Sequence, residues 1–300
     1  LPHTLNNTNL KDNIKDFRRN IRYLFLLFVT KAILMQSVNA VPKLRRLLIK
    51  IFPFFFRREI HKARDFLSPE FHDNKEKIIR GMLVNQVMNI LEVFFYEKIL
   101  AANPKFVTVE GREHLEKALK KNKGAIIFSG HFGNWELMGY ALAAMGYPMH
   151  VIARPQAISR MTAFMNQFRE GRNVKILMES NLNASLKVLK NKGVIGIVTD
   201  LNARERGYRV PFFGKEASFY PTPVILSVRS KAPLIPAFIE RQASGNHIIR
   251  IEPPISWHEN ESMVDRINKY VRRIEAAIRR RPDLWVWFHD RYAFSHLGRG

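Results

Sequence analysis

The sequence predicts an α/β protein: a mixed, partly parallel central sheet flanked by helices, preceded by a basic, amphipathic helical arm that meets a membrane. Three observations carry this. Short apolar runs alternate with helical patterns from about residue 105 onward, as βα units require. Two of these runs, "AIIFSG" and "VIGIVTD", are near-continuous, the mark of strands buried on both faces. Residues 1–66 carry 14 Lys/Arg against four acids, interleaved with bulky apolar side chains.

The elements follow in order. In "PKLRRLLIKIFPFFFRRE", Leu44, Leu47, Leu48 and Ile51 fall on one helical stripe, with Arg45, Arg46 and Lys50 off it. That pattern suits the headgroup region of an anionic bilayer. A single span over about residues 21–41 is the alternative, weakened by Lys31, which divides its uncharged runs. No secretory signal is expected, because no small-residue cleavage pattern closely follows the apolar stretch. The long pattern from Ser68 to Leu100 reads as one helix with Ile78, Ile79, Met82, Leu83, Met88, Leu91, Phe94 and Phe95 at helical spacing. "KFVTVEG" is a short strand and "GREHLEKALKKNKG" a helix closed by Gly124. "AIIFSG" leads into "NWELMGYALAAMG", a helix with Asn134 as N-cap. "MHVIAR" is a strand, "RMTAFMNQFREG" and "NASLKVLKNKG" are helices, and "VIGIVTD" is again a buried strand. "TPVILSVRS" reads as a helix capped by Thr222. "PLIPAFIERQ" and "HIIRIEPP" flank a turn as a hairpin, and the final basic helix opens with a Ser262–Asp265 capping box. Two units are expected: residues 1–66 as the membrane-associating segment and residues 67–300 as the α/β domain.

Composition narrows the function. The absence of cysteine excludes disulfides, thiolate zinc sites and a cysteine nucleophile. A net charge of +23 calls for an anionic partner: nucleic acid, an anionic membrane or an acidic substrate. No zinc-finger, RNP or KH pattern accompanies the charge, and the densest basic region is rich in Phe and Leu, so nucleic acid is not expected as a partner. No glycine-rich phosphate loop follows any strand, so no nucleotide cofactor is expected, and no third ligand shows metal spacing.

Two histidines precede an acid by five residues: His131 with Glu136, and His247 with Glu252. The second pair lies on an alternating strand and projects to opposite faces, which marks it as decoration. His131 lies in "SGHFGNWELM", between a buried strand and a helix, where open α/β sheets place ligand sites. Gly130 and Gly133 permit a sharp turn there, and Glu136 in the first helical turn can converge on the ring. Asp200, ending another buried strand, is a second candidate carboxylate. A histidine–carboxylate pair suits proton removal from a hydroxyl or amine attacking an acyl carbon. A serine nucleophile at Ser129 would favour a G-x-S-x-G elbow, which is absent, so direct transfer fits better. A helix-capping histidine beside a solvated glutamate is the non-catalytic alternative. Trp135 reads as core.

"SGHFGNWE" resembles the His-x4-acid motif of the late acyltransferases of lipid A biosynthesis, and is similar to the actinobacterial relatives that acylate phosphatidylinositol mannosides. Further blocks agree in order: "VIARPQ", "LKNKGVIGIVTD", "RVPFFGKEASFYPTP" and "RRRPDLWVWFHDRY". The resemblance implies His131 as general base, Glu136 as its favoured orienting partner with Asp200 in contention, and Arg154 as a polar lining residue. It also makes Asn134, Arg209, Phe212, Phe213 and Gly214 substrate-binding candidates, the phenylalanines of "VPFFG" lining an acyl groove unless that segment is a buried turn. Asn202 and Arg204 stand where many members show a second acid and a glycine, which leaves the acceptor open. The implied reaction moves an acyl chain from acyl carrier protein or acyl-CoA to a glycolipid acceptor at the cytoplasmic face of the inner membrane. Another membrane-lipid acceptor is the alternative, and an inactive membrane scaffold or a nucleic-acid binder the different class.

Overall fold

The computed structural model describes residue 30, residues 35–154 and residues 159–292. The span considered over residues 21–41 lies mostly outside these residues, as do Pro155 and Gln156 of the "VIARPQ" block.

Helix α1 (Val41–Phe55) is broken at Phe56, three residues after Pro53, and α2 (Arg57–Phe66) continues from the bend. The stripe expected to face a bilayer is split between two directions. Val41, Leu44, Leu48 and Phe52 pack on Val87, Leu91 and Phe95 of α3 (Lys75–Ala102). Leu47, Ile51, Phe54 and Phe55 are left exposed, Phe54 by 81%. Ile60 and Ala63 of α2 belong to the main core with Ile78, Ile79 and Met82, so residues 41–66 are folded onto the body of the protein.

The stretch Pro69–Ala102 is, among the described residues, long and apolar enough by length and composition to cross a membrane. Its burial identifies it as a core helix: 56% of its most apolar window is covered by protein. Its inward face also carries Asn85, Asn89 and Glu92, all buried, at i, i+4 and i+7.

The seven-stranded sheet contains β1 (Val107–Glu110), β2 (Ala125–Ser129), β3 (Met149–Ala153), β4 (Lys175–Met178), β5 (Val194–Val198), β8 (Leu234–Arg241) and β9 (His247–Ile251). Their order is β1-β9-β8-β2-β5-β3-β4. Five strands from β8 to β4 run parallel; β9 turns back antiparallel to β8, and β1 pairs parallel with β9. The mixed, partly parallel sheet is therefore as the sequence predicts. The remaining hairpin, β6 (Tyr208–Phe212) with β7 (Lys215–Phe219), pairs separately.

Side-chain alternation divides the core into two layers. Ile126, Phe128, Ile195, Ile197, Leu234 and Phe238 meet helix α9 (Met263–Arg280), Trp285 and Trp287. Ala125, Ile127, Val194, Ile235, Ala237 and Ile239 meet α4 (Arg112–Leu119) and α5 (Trp135–Ala144). Helices α6 (Ser159–Glu170), α7 (Leu182–Lys190) and α8 (Thr222–Ser230) complete the crossovers. The Ser262 capping box forms as expected. Pro221 rather than Thr222 occupies the N-cap of α8, and α4 ends at Leu119, leaving Gly124 with φ +69° to turn the chain into β2.

Candidate active site

The parallel pairing of β2 with β5 builds the site. Ser129 and Val198 are register partners at the C-terminal ends of the two strands. Two residues beyond each stand His131 and Asp200, and His131 Nδ1 donates to Asp200 Oδ1 at 2.6 Å. The Asp200 side chain is fully buried, whereas His131 keeps 20% exposure. Gly133 makes the intervening turn possible: its φ is +57°, and a Cβ there would lie 1.9 Å from the Ile239 carbonyl oxygen.

Asp200 is held on all sides. Trp285 Nε1 donates to Oδ2 at 2.7 Å and Arg291 Nη2 to the same oxygen at 2.8 Å, while Arg291 Nε reaches the Asp200 carbonyl at 2.8 Å. Burial alone would push this carboxyl up. The charges of His131 and Arg291, with their hydrogen bonds, outweigh it and hold Asp200 well below the usual carboxylate range. An ionised Asp200 accepts the Nδ1 proton of His131 and leaves Nε2 as the basic nitrogen.

The loop itself is clamped. His131 O accepts from Val286 N at 3.0 Å and Gly133 N donates to Leu284 O at 2.8 Å. From below, Asn89 Nδ2 donates to Gly133 O at 2.7 Å. The Trp135 ring meets the His131 ring edge-on at 4.9 Å, and the His289 ring lies 5.8 Å from it.

His131 borders a cavity of about 200 Å³ between α5 and the face of β2, β5 and β3. Its mouth is polar, with Arg154, Glu179, Arg169, Glu136 and Tyr220. Its depth is apolar, with Ile127, Met138, Leu142, Met149 and Val151. Arg154 is paired with Glu179 and lies 4.3 Å over the Tyr220 ring.

The other expected site residues make contacts different from those expected. Glu136 lines the same cavity, but its carboxylate is taken by Arg169 of α6, Oε1 to Nη2 at 2.5 Å and Oε2 to Nε at 3.0 Å. The favoured His131–Glu136 pairing is thus replaced by His131–Asp200, because the strand register brings Asp200 to the ring while the helix turns Glu136 toward α6. Asn134 is buried: its Oδ1 accepts from Leu137 N as the expected N-cap, and its Nδ2 donates to Glu92. Phe212 and Phe213 are core residues packed against Trp285, Phe219 and Trp287. Phe213 and Gly214 form the two-residue turn between β6 and β7, with φ of +50° and +73°. "VPFFG" is therefore the buried turn, and Arg209 projects from that hairpin near Glu216, its side chain 62% exposed.

His247 is not decoration. It is fully buried, with Nε2 3.0 Å from Glu92 Oε2 and 3.1 Å from Arg241 Nη1. Burial and the Arg241 charge push its pKa down to about 2, so it is neutral. Glu92 also pairs with Arg241. Sequence reasoning missed Trp285 and Arg291 as supports of Asp200; their signal lay in the "RRRPDLWVWFHDRY" block, which pointed to the site without assigning roles. No group of His, Asp and Glu suited to a metal occurs among the described residues.

The model of the bacterial lipid A biosynthesis acyltransferase family matches residues 17–293. The chain is 24% identical over 256 residues to the lipid A biosynthesis palmitoleoyltransferase of Escherichia coli (strain K12), covering 82% of each chain. The same figures hold for a lipid A biosynthesis acyltransferase of Shigella flexneri. A phosphatidylinositol mannoside acyltransferase of Mycobacterium tuberculosis is 24% identical over 133 residues, covering 43% of this chain and 42% of that relative. With the match extending over most of its length, this chain belongs to the bacterial lipid A biosynthesis acyltransferase family and is an acyltransferase.

Proposed function

We propose that the protein transfers a fatty acyl chain from an acyl thioester, carried by acyl carrier protein or CoA, to a hydroxyl of a lipid A precursor or similar glycolipid. The observation that carries this is the 2.6 Å contact of His131 with buried, ionised Asp200 at the rim of an apolar cavity. His131 Nε2 takes the proton as the acceptor oxygen attacks the thioester carbon. The new C–O bond forms, the tetrahedral adduct collapses with cleavage of C–S, and the imidazolium returns its proton to the leaving sulfur. Asp200 stabilises that imidazolium without itself being protonated. The apolar depth holds the acyl chain, and Arg154 at the mouth meets an anionic group of the acceptor. Asn134, Arg209, Phe212, Phe213 and Gly214 act through structure in this reading, and neither metal nor cofactor enters it.

The exposed apolar face of α1, with Leu47, Ile51, Phe54 and Phe55 beside Lys43, Arg46, Lys50 and Arg57, supports residues 1–66 as the membrane-associating segment at the cytoplasmic face of the inner membrane. The bend joins this face to the site: Phe56 stacks on Phe288 at 6.5 Å, next to His289.

Two measurements test the reading. His131→Ala should lower transfer of a labelled acyl chain to a lipid A precursor by about 10²–10⁴ without changing the far-ultraviolet spectrum; near-normal turnover would refute the mechanism. Leu47→Ser with Phe54→Ser should weaken sedimentation with anionic vesicles, and equal sedimentation would move the membrane contact elsewhere.

A further inference from the structure

Gly139 lies inside α5, where glycine is disfavoured relative to alanine. No backbone angle requires it, since its φ is not positive, and no crowding does either: a Cβ built there meets no atom within 4 Å. The space that a side chain would enter is the cavity beside His131. Trp135, Met138, Gly139 and Leu142, at i, i+3, i+4 and i+7, are the stripe of α5 that lines it. Gly139 follows Trp135 by roughly one turn, about 6 Å along the axis, so it lies just inward of the ring that touches His131.

A second glycine lines the opposite wall. Gly196 is central in β5, yet it is only half-buried while its neighbours Ile195 and Ile197 are buried on the other face. A Cβ there would meet Met149 Cε and Val151 Cγ1 at 3.5 Å, ordinary contact. Helix and strand each give up a favoured residue, and both omissions open onto the same cavity.

We propose that Gly139, with Gly196 facing it from the sheet, sets the bore of the acyl channel and thereby the chain length the enzyme accepts. The proposal rests on the reading that the cavity takes the acyl chain. Past these glycines the channel is closed by Leu142, Met149 and Val174, all buried. Filling the bore therefore excludes the distal part of a long chain and leaves a short chain untouched.

The test compares wild type, Gly139→Ala and Gly196→Ala in two assays: kcat/KM for acyl thioesters of increasing length, and calorimetric binding of free fatty acids of the same lengths. Gly139→Ala should melt about 2 °C higher, because alanine favours the helix. It should nevertheless lose about tenfold or more in kcat/KM for the longest chain that wild type accepts, relative to the shortest, with a parallel shift in binding. Gly196→Ala should shift both profiles in the same direction. Unchanged profiles, or a loss uniform across lengths, would overturn the proposal. Because the binding assay needs no turnover, a wrong assignment of the donor would show in the transfer assay alone.

Discussion

The protein contains two clusters of the same chemical make-up: His131, Asp200 and Arg291 in one, His247, Glu92 and Arg241 in the other. In both, a carboxylate buried to 1% exposure or less touches an imidazole and an arginine. The difference is access. His131 keeps 20% exposure and lines a cavity, whereas His247 is sealed under the Phe106 ring, its centroid 5.1 Å away. The first cluster sits beyond the C-terminal ends of two parallel strands, where the chain leaves the sheet and space opens. The second joins the start of β9 and the end of β8 to the middle of α3, where nothing can enter. A histidine–acid–arginine set is thus a functional candidate only when its basic nitrogen borders space; enclosed, the same groups tie secondary structure together.

The sealed cluster also serves the open one. Glu92 accepts from Asn134 at 2.9 Å, and Arg241 Nη2 donates at 2.9 Å to Asn89 Oδ1. These asparagines hold the N-cap of α5 and the Gly133 carbonyl, the far flank of the His131 loop.

The comparison can be broken by exchanging which property each cluster loses. The largest effect on stability is expected for Glu92→Ala, which leaves the Arg241 charge buried without its partner and should cost about 3–5 kcal/mol. His247→Ala should cost less, about 2–3 kcal/mol, by unmaking buried polar contacts. Urea unfolding measures both; a change within about 0.5 kcal/mol for either would show that the cluster is not structural. A smaller effect separates the clusters by pH. His247 is kept neutral in the fold by a pKa near 2, while in the unfolded chain it binds a proton below about 6.5. The unfolded state therefore holds more protons in this window, and stability falls as pH drops below about 6.5. His247→Gln should flatten that fall by up to one proton, about 1.4 kcal/mol per pH unit. An unaltered slope would mean that His247 does not control the acid limb.

Much of this contrast was legible in the sequence, for identifiable reasons. The apolar runs of β2 and β5 announced buried strands, and "SGHFGNWE" placed His131 in the loop where a site belongs. Which acid meets His131 was not legible, because spacing along one segment reveals nothing about register between two. Glu136 is nearer in sequence, but pairing of Ser129 with Val198 decides for Asp200. The β6–β7 hairpin escaped because its turn uses Phe213 at positive φ, not the Asn-Gly or Asp-Gly pairs that usually mark such turns. His247 was misread because strand alternation shows which face a residue takes, and the buried polar stripe of α3 that awaits it on that face was hidden among apolar neighbours. Strand β4 was missed for a simpler reason: "KILM" is short and half exposed.

The central proposal is that Asp200, and not Glu136, orients the His131 imidazole and stabilises it during acyl transfer. It is tested most directly by kcat for acyl transfer in Asp200→Asn and Glu136→Gln, each at saturating donor and acceptor with folding verified by circular dichroism. Asp200→Asn should lose about 10³–10⁴ in kcat, because an amide fails to fix the Nδ1–H tautomer or to stabilise the imidazolium. Glu136→Gln, which loosens Arg169 at the mouth of the cavity, should lose less than about tenfold in kcat, with its main effect on KM. A larger kcat loss in Glu136→Gln than in Asp200→Asn would contradict the account.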